Sequence, residues 1–252
     1  MSGTVYLVGA GPGAPDLLTL RAARLLESAD IVFYDALVHP ETLALARQAT
    51  KIAVGKRCGR HSTAQKFINK RLVDAAARFE VVVRLKGGDP MLFGRAQEEI
   101  DALRSAGIEF EVVPGVTAAS AASADLGVSL TQRGRARHVC FVTPRVGRDE
   151  PDNDWPDSVH AADTAVIYMG AGLADTIAAT LIARGRDAGT PVALVENASL
   201  PERRILFGAL RDLPRLAREV GSGPAVIVLG EVLRAAAERD ARMAVAELLR
   251  RA

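Results

Sequence analysis

Cysteine is scarce, with only Cys58 and Cys140 in 252 residues. That pair builds neither a disulfide framework nor the spacing of a zinc site, and it predicts a reducing compartment. No apolar stretch approaches the ~20 residues that span a bilayer. Met1-Ser2-Gly3-Thr4 puts no positive charge ahead of a long apolar region, so the expectation is a cytoplasmic protein with no signal peptide and no membrane partner. Aromatic residues make up 4% of the chain, which leaves few platforms for stacking single-stranded nucleic acid. A net charge of +2 does not by itself imply a polyanion partner. His39, His61, His138 and His160 show no metal-ligand spacing. Internal repeats and low-complexity segments are absent as well.

What is present is an ordinary globular composition, 49% hydrophobic and 25% charged, long enough for one large or two moderate domains. β-Branched and apolar runs alternate with helical patterns. Val5–Val8, Ile31–Tyr34, Ile52–Val54, Val81–Val83 and Phe110–Val113 read as strands. Between them lie a helix with Leu18, Ala22, Leu25, Leu26 and Ala29 on one face, a short helix near 41–48, and a helix with Ile68, Leu72, Ala76 and Phe79 inward. Ser62 or Thr63 is placed to cap that last helix. Such alternation predicts a mostly parallel sheet covered on both faces. Pro114-Gly115 marks a domain boundary, giving 1–114 and 115–252. Beyond it come an Ala/Ser-rich helix over 117–125, a strand at 139–143, and a polar loop over 144–157 containing Trp155. Strands at 164–168 and 191–195 flank a helix over 173–184. An antiparallel segment at 204–207, a strand at 225–229 and a charged helix from Glu231 complete the chain. The fold class is α/β, two domains with mostly parallel, mixed sheets.

Three segments carry chemistry. Gly9-x-Gly11-x-x-Ala14, with Asp35 ending the second strand, satisfies the loose dinucleotide fingerprint and makes a nicotinamide-dependent oxidoreductase one hypothesis. Against it, Pro12 and Pro15 remove two backbone N–H donors from the turn that would hold a pyrophosphate. Arg84 through Arg95 is the second segment. Its Gly87-Gly88-Asp89-Pro90 stops a strand abruptly, letting a ligand lie on bare backbone, and Met91-Leu92-Phe93 can wall a flat apolar group. An ordinary strand-to-helix turn is the plain alternative. Third are the basic clusters Lys56-Arg57-Cys58-Gly59-Arg60-His61 and Arg133-Gly134-Arg135-Ala136-Arg137-His138. These either clamp carboxylates or form a solvated surface.

Taken together, the motifs resemble the tetrapyrrole methyltransferases that use S-adenosylmethionine. Val8 through Gly13 with Leu17-Leu18-Thr19-Leu20 matches the family's opening. Tyr34 through Val38, Val54 through Arg57, Arg60-His61, Arg84 through Arg95, Val113 through Ala118, Leu130-Thr131 and Arg133-Gly134 match the subgroup acting on uroporphyrinogen III. So do Val166 through Gly170, Pro191 through Ala198 and Gly230-Glu231-Val232, and the likeness runs in order from Val5 to Val232. Ala14 replaces the family's usual aspartate, Pro144-Arg145 replaces Gly-His, and residues 235–252 have no counterpart.

The resemblance implies two α/β domains with the cofactor in the cleft between them, usually as a homodimer. It implies two methylations of uroporphyrinogen III to precorrin-2, on the way to sirohaem or cobalamin, with a later precorrin intermediate as the alternative substrate. It implies cofactor contacts (S-adenosylmethionine, leaving as S-adenosylhomocysteine) at Pro12, Gly87, Gly88, Asp89, Leu92, Thr117, Ala118, Met169 and Ala198. Asp35 matches a proton acceptor and Lys56 a proton donor. A substrate with many carboxylates gives the basic clusters a purpose, with Arg60, His61, Arg133 and Arg135 as its expected contacts. No metal is implied.

Overall fold

The computed structural model describes residues 3–55, 65–147 and 153–251. The chain divides into two compact units, Met1–Ala118 and Ala119–Ala252.

In the first unit β1 (Thr4–Gly9) leads through α1 (Leu20–Ser28) to β2 (Ile31–Tyr34), then α2 (Pro40–Ala44) and β3 (Thr50–Ala53). α3 (Gln65–Ala76), β4 (Val81–Lys86), α4 (Ala96–Ser105) and β5 (Phe110–Val113) follow. All strand pairs are parallel, in the order β3-β2-β4-β1-β5. Alternate residues serve opposite faces. Val5, Leu7, Ile31, Phe33 and Val82 pack under Ile68 and Leu72 of α3 and Ile100 and Leu103 of α4. Val8, Val32, Val83 and Leu85 pack against Ala22 and Leu26 of α1. Burial on both faces explains the unbroken apolar runs, and each fully buried leucine such as Leu7 or Leu72 contributes on the order of 1.5–3 kcal/mol. From β1 the chain leaves towards β2, whereas from β4 it leaves towards β5 on the other side. The C-terminal ends of these two neighbours are therefore the topological switch point, where open α/β sheets hold ligands.

The second unit opens with α5 (Ala118–Leu126), β6 (Val139–Val142), α6 (Trp155–Ala161) and β7 (Thr164–Tyr168). It continues through α7 (Ala174–Ala183), β8 (Pro191–Glu196), β9 (Arg204–Ala209), α8 (Leu213–Glu219), β10 (Ala225–Gly230) and α9 (Arg234–Arg251). The sheet order is β6-β7-β10-β8-β9, with β6 and β7 parallel and the other pairs antiparallel. One face packs Ile167, Leu194 and Ile227 against Ile177, Leu181 and Leu213. The other packs Val166, Val195 and Val228 against Ala119, Ala122 and Leu126 of α5. The expected polar loop over 144–157 ends early, because α6 already begins at Trp155, and α8 was not anticipated at all. Both helices carry proline within their first turn, Pro156 and Pro214, where the missing N–H costs nothing and the fixed φ suits the helix. No described helix is long and apolar enough to cross a membrane.

Candidate functional site

β1 and β4 continue to pair beyond their sheet. Ala10 N–H donates to Lys86 O at 2.7 Å, Gly88 N–H to Gly11 O at 2.7 Å, and Gly11 N–H to Gly88 O at 3.2 Å. A third loop, after β5, closes on the same spot. A Cβ on Gly9 would lie 2.6 Å from Gly115 Cα and 2.8 Å from Gly88 O, so three strand ends meet as bare backbone. Asp89 locks them: its Oδ1 accepts from Met91 N–H at 2.8 Å and its Oδ2 from Gly115 N–H at 2.9 Å. Gly88 itself has φ +67°, and a Cβ there would meet nothing within 4 Å. The chain thus presents open backbone at its switch point, and Met91 and Phe93, a few residues further along the same loop, are exposed. Pro12 and Leu92 are half-buried in the same loops. The Ala10 and Gly11 N–H groups are already committed to β4 and its turn, and α1 starts only at Leu20, capped by Thr19. Only a single 3-10 turn, Pro15–Leu17, follows the loop directly, with proline in its first position, which is a poor cradle for the pyrophosphate of a nicotinamide cofactor.

Asp35, at the end of β2, accepts from Leu37 N–H through Oδ1 at 3.0 Å and from Gly87 N–H through Oδ2 at 3.2 Å. It therefore closes an Asx turn and joins the β2 and β4 loops. Behind it lies a buried ion cluster that the sequence motifs did not single out. Glu99 of α4 receives Arg84 Nε at 2.9 Å on one oxygen and Lys86 Nζ at 2.9 Å on the other. Gln65 Nε2 adds a bond at 3.2 Å, and Arg84 also donates to Leu85 O at 3.1 Å. All three charged side chains are at most 5% exposed. Burial, and after it the Arg84 guanidinium, push Lys86 below the ordinary lysine range, countered in part by Glu99 and Asp35. The sequence signal was two cations at alternate positions inside an apolar strand, an arrangement that demands a buried partner.

In the second unit, Ala119 N–H donates to the Tyr168 hydroxyl at 3.0 Å. Next to Tyr168 is Met169, exposed and left-handed at φ 55°. Ala198 is 7% exposed and sits between two further left-handed residues, Asn197 (φ 53°) and Ser199 (φ 73°). Such non-glycine conformations are uncommon and gather at ligand sites. Thr117 and Ala118, half-buried, lead into α5. Arg133 and Arg135 are exposed on a tight turn closed by Gln132 and Ala136. Below it, Asp163 accepts from His138 N–H and Arg137 N–H, which hold its carboxyl below the ordinary range. Lys56, Arg60 and His61, with Cys58, Ser62 and Thr63, lie outside the described residues.

The family model for tetrapyrrole (corrin/porphyrin) methylases matches residues 4–214. Siroheme synthase from Azotobacter vinelandii is 48% identical over 234 residues, covering 92% of this chain and 50% of that protein. The enzyme of the same name from Zymomonas mobilis is 48% identical over 231 residues, or 91% and 49%. The chain thus spans about half the length of these relatives. Uroporphyrin-III C-methyltransferase from Thermus thermophilus, solved in complex with S-adenyl homocysteine, superposes with a TM-score of 0.81 at 42% identity, covering 92% of this chain and all of that one. A cobalt precorrin-4 methyltransferase superposes with a TM-score of 0.80 at 30% identity over 91% of this chain and 95% of its own. On these matches the chain belongs to the tetrapyrrole methylases.

Proposed function

We propose that this chain is an S-adenosylmethionine-dependent uroporphyrinogen-III C-methyltransferase that methylates its substrate twice, giving precorrin-2. The observation that carries this is the Gly88 surface, where bare, left-handed backbone faces open space at the switch point of a parallel sheet. In the first unit the cofactor contacts are Pro12, Gly87, Gly88, Asp89 and Leu92, with Thr117 and Ala118 entering α5. In the second they are Met169 and Ala198.

When bound, S-adenosylmethionine supplies a methyl group as a sulfonium electrophile, so a pyrrole carbon forms the new bond while the sulfur keeps the broken bond's electron pair. The protein needs no nucleophile of its own. Its work is alignment and proton management. The Gly87–Asp89 turn fixes the cofactor through backbone that Asp89 and Gly115 hold still. Once methylated, the macrocycle is cationic and sheds a proton. Asp35 is the acceptor: two of its lone pairs hold Leu37 and Gly87 N–H groups, and a carboxylate retains others for a proton. Lys56 is the proposed donor, and Arg60, His61, Arg133 and Arg135 hold substrate carboxylates. Homodimer formation and a cytoplasmic setting belong to the same proposal.

Incubating the protein with S-adenosylmethionine and enzymatically made uroporphyrinogen III is the test. A product heavier by two methyl groups is expected. Absence of methylation, or methylation only of a later precorrin, would overturn the assignment.

A further inference from the structure

Helix α5 is bonded near both ends to turns that carry proposed cofactor contacts. Near its start, Ala119 N–H donates to the Tyr168 hydroxyl, adjoining Met169. Near its end, Asp125 Oδ2 accepts from Ser199 N–H at 2.7 Å, and Asp125 Oδ1 lies 3.5 Å from Arg203 Nε. The Asp125 side chain is 15% exposed, so water competes little for the Ser199 bond. Ser199 and Asn197 flank Ala198 with left-handed backbone, a shape that L-residues hold only when their surroundings enforce it. Asn197 N–H donates to Pro224 O at 2.9 Å and Leu200 N–H to Asn197 O at 3.0 Å, both backbone bonds. Asp125 adds a side-chain hold from a different element, which references the turn to α5.

We propose that Asp125 is a positioning residue for the cofactor: by holding Ser199 N–H it keeps the Ala198 turn in its left-handed form and in register with the Met169 turn. This role rests on the assignment of Ala198 and Met169 as cofactor contacts made above. Asp125 itself touches neither cofactor nor substrate and acts through the turn. Its carboxylate, not the ion pair with Arg203, is the operative part, because Arg203 is half exposed and its bond is long.

The test is calorimetric titration of the full chain with S-adenosylhomocysteine, backed by steady-state kinetics. Asp125→Ala is expected to weaken binding about tenfold or more, the scale of losing a hydrogen bond to a charged acceptor. The KM for S-adenosylmethionine should rise while that for the tetrapyrrole stays within about twofold, a split that general loosening would not produce. Asp125→Asn keeps an acceptor at the same reach and should bind within about threefold of the parent. Arg203→Met should bind like the parent. Unchanged affinity in a folded Asp125→Ala protein overturns the role, and so does a loss in Arg203→Met equal to that in Asp125→Ala. Should the alanine variant fail to fold, Asp125→Asn and Asp125→Glu decide: the glutamate displaces the acceptor by one methylene, and equal affinities in the two overturn the role. A parent protein that does not bind S-adenosylhomocysteine overturns the proposed function itself, and this role with it.

Discussion

Glu99 divides its two oxygens between Arg84 and Lys86, so one buried carboxylate answers two buried cations. Glu99→Gln should therefore cost roughly 3–5 kcal/mol in urea unfolding, because it takes the bonded carboxylate away from both buried cations. Lys86→Met removes the surplus cation and leaves the Arg84–Glu99 pair intact. The sign with pH follows from Lys86 being lowered below 10.5 in the folded protein. Between the lowered value and 10.5 the unfolded chain binds more protons, so this group's penalty on the parent shrinks as pH rises. The stability advantage of Lys86→Met over the parent should thus be largest at neutral pH and diminish towards pH 10.5; an advantage that grew with pH would refute the burial penalty. Gly88→Leu adds a left-handed penalty of about 1–2 kcal/mol, while its Cβ would meet nothing within 4 Å. The folded variant is expected to lose S-adenosylhomocysteine binding in calorimetry. Asp35→Asn needs a paired measurement. An asparagine can still accept from Leu37 N–H, but its amide NH₂ would face Gly87 N–H, donor against donor. A folded Asp35→Asn enzyme slowed on the order of 10²–10⁴-fold, with cofactor affinity near the parent's, supports a base. Turnover within a few-fold of the parent leaves only the turn.

Along the chain, apolar β-branched runs located the strands where burial is deep, and β7 and β5 begin and end as those runs do. Helices were legible where an apolar stripe repeats, as in α3 with Ile68 and Leu72. α6 and α8 were not, since each spans only seven residues and carries proline in its first turn. Proline read as a breaker is, at that position, a starter. The break after β4 was legible, because paired glycine followed by Asp-Pro stops a β-branched run. The Asp89–Gly115 bond, the Glu99 cluster and the Tyr168–Ala119 bond were not, since each joins residues far apart in sequence by a register that only the folded sheet sets. A local cap that the sequence reading passed over is Thr19, whose Oγ1 accepts from Ala22 N–H at 3.1 Å at the start of α1. Thr19→Ala should cost about 1 kcal/mol, read as a lowered urea midpoint with an unchanged slope.

Each of the four buried clusters lies wholly within one unit. Trp155, the chain's single tryptophan, packs against the core of the second, so its fluorescence reports that unit alone. Ile177→Ala, at about 2–5 kcal/mol, should lower the fluorescence midpoint in urea. Leu72→Ala should lower the midpoint seen by far-UV circular dichroism and leave the tryptophan signal in place. Equal shifts from both probes in both variants would mean that the units unfold as one. The meeting of Gly9, Gly88 and Gly115 also dictates how this gene tolerates mutation. At Gly9 and Gly115 any side chain would overlap backbone, so every missense allele should reduce the amount of folded protein. At Gly88, where an added Cβ enters open space, missense alleles should yield more abundant but inactive protein. A saturation library scored once for abundance and once for growth would sort these three neighbouring codons into two classes of lesion, one relieved by chaperones and the other indifferent to them.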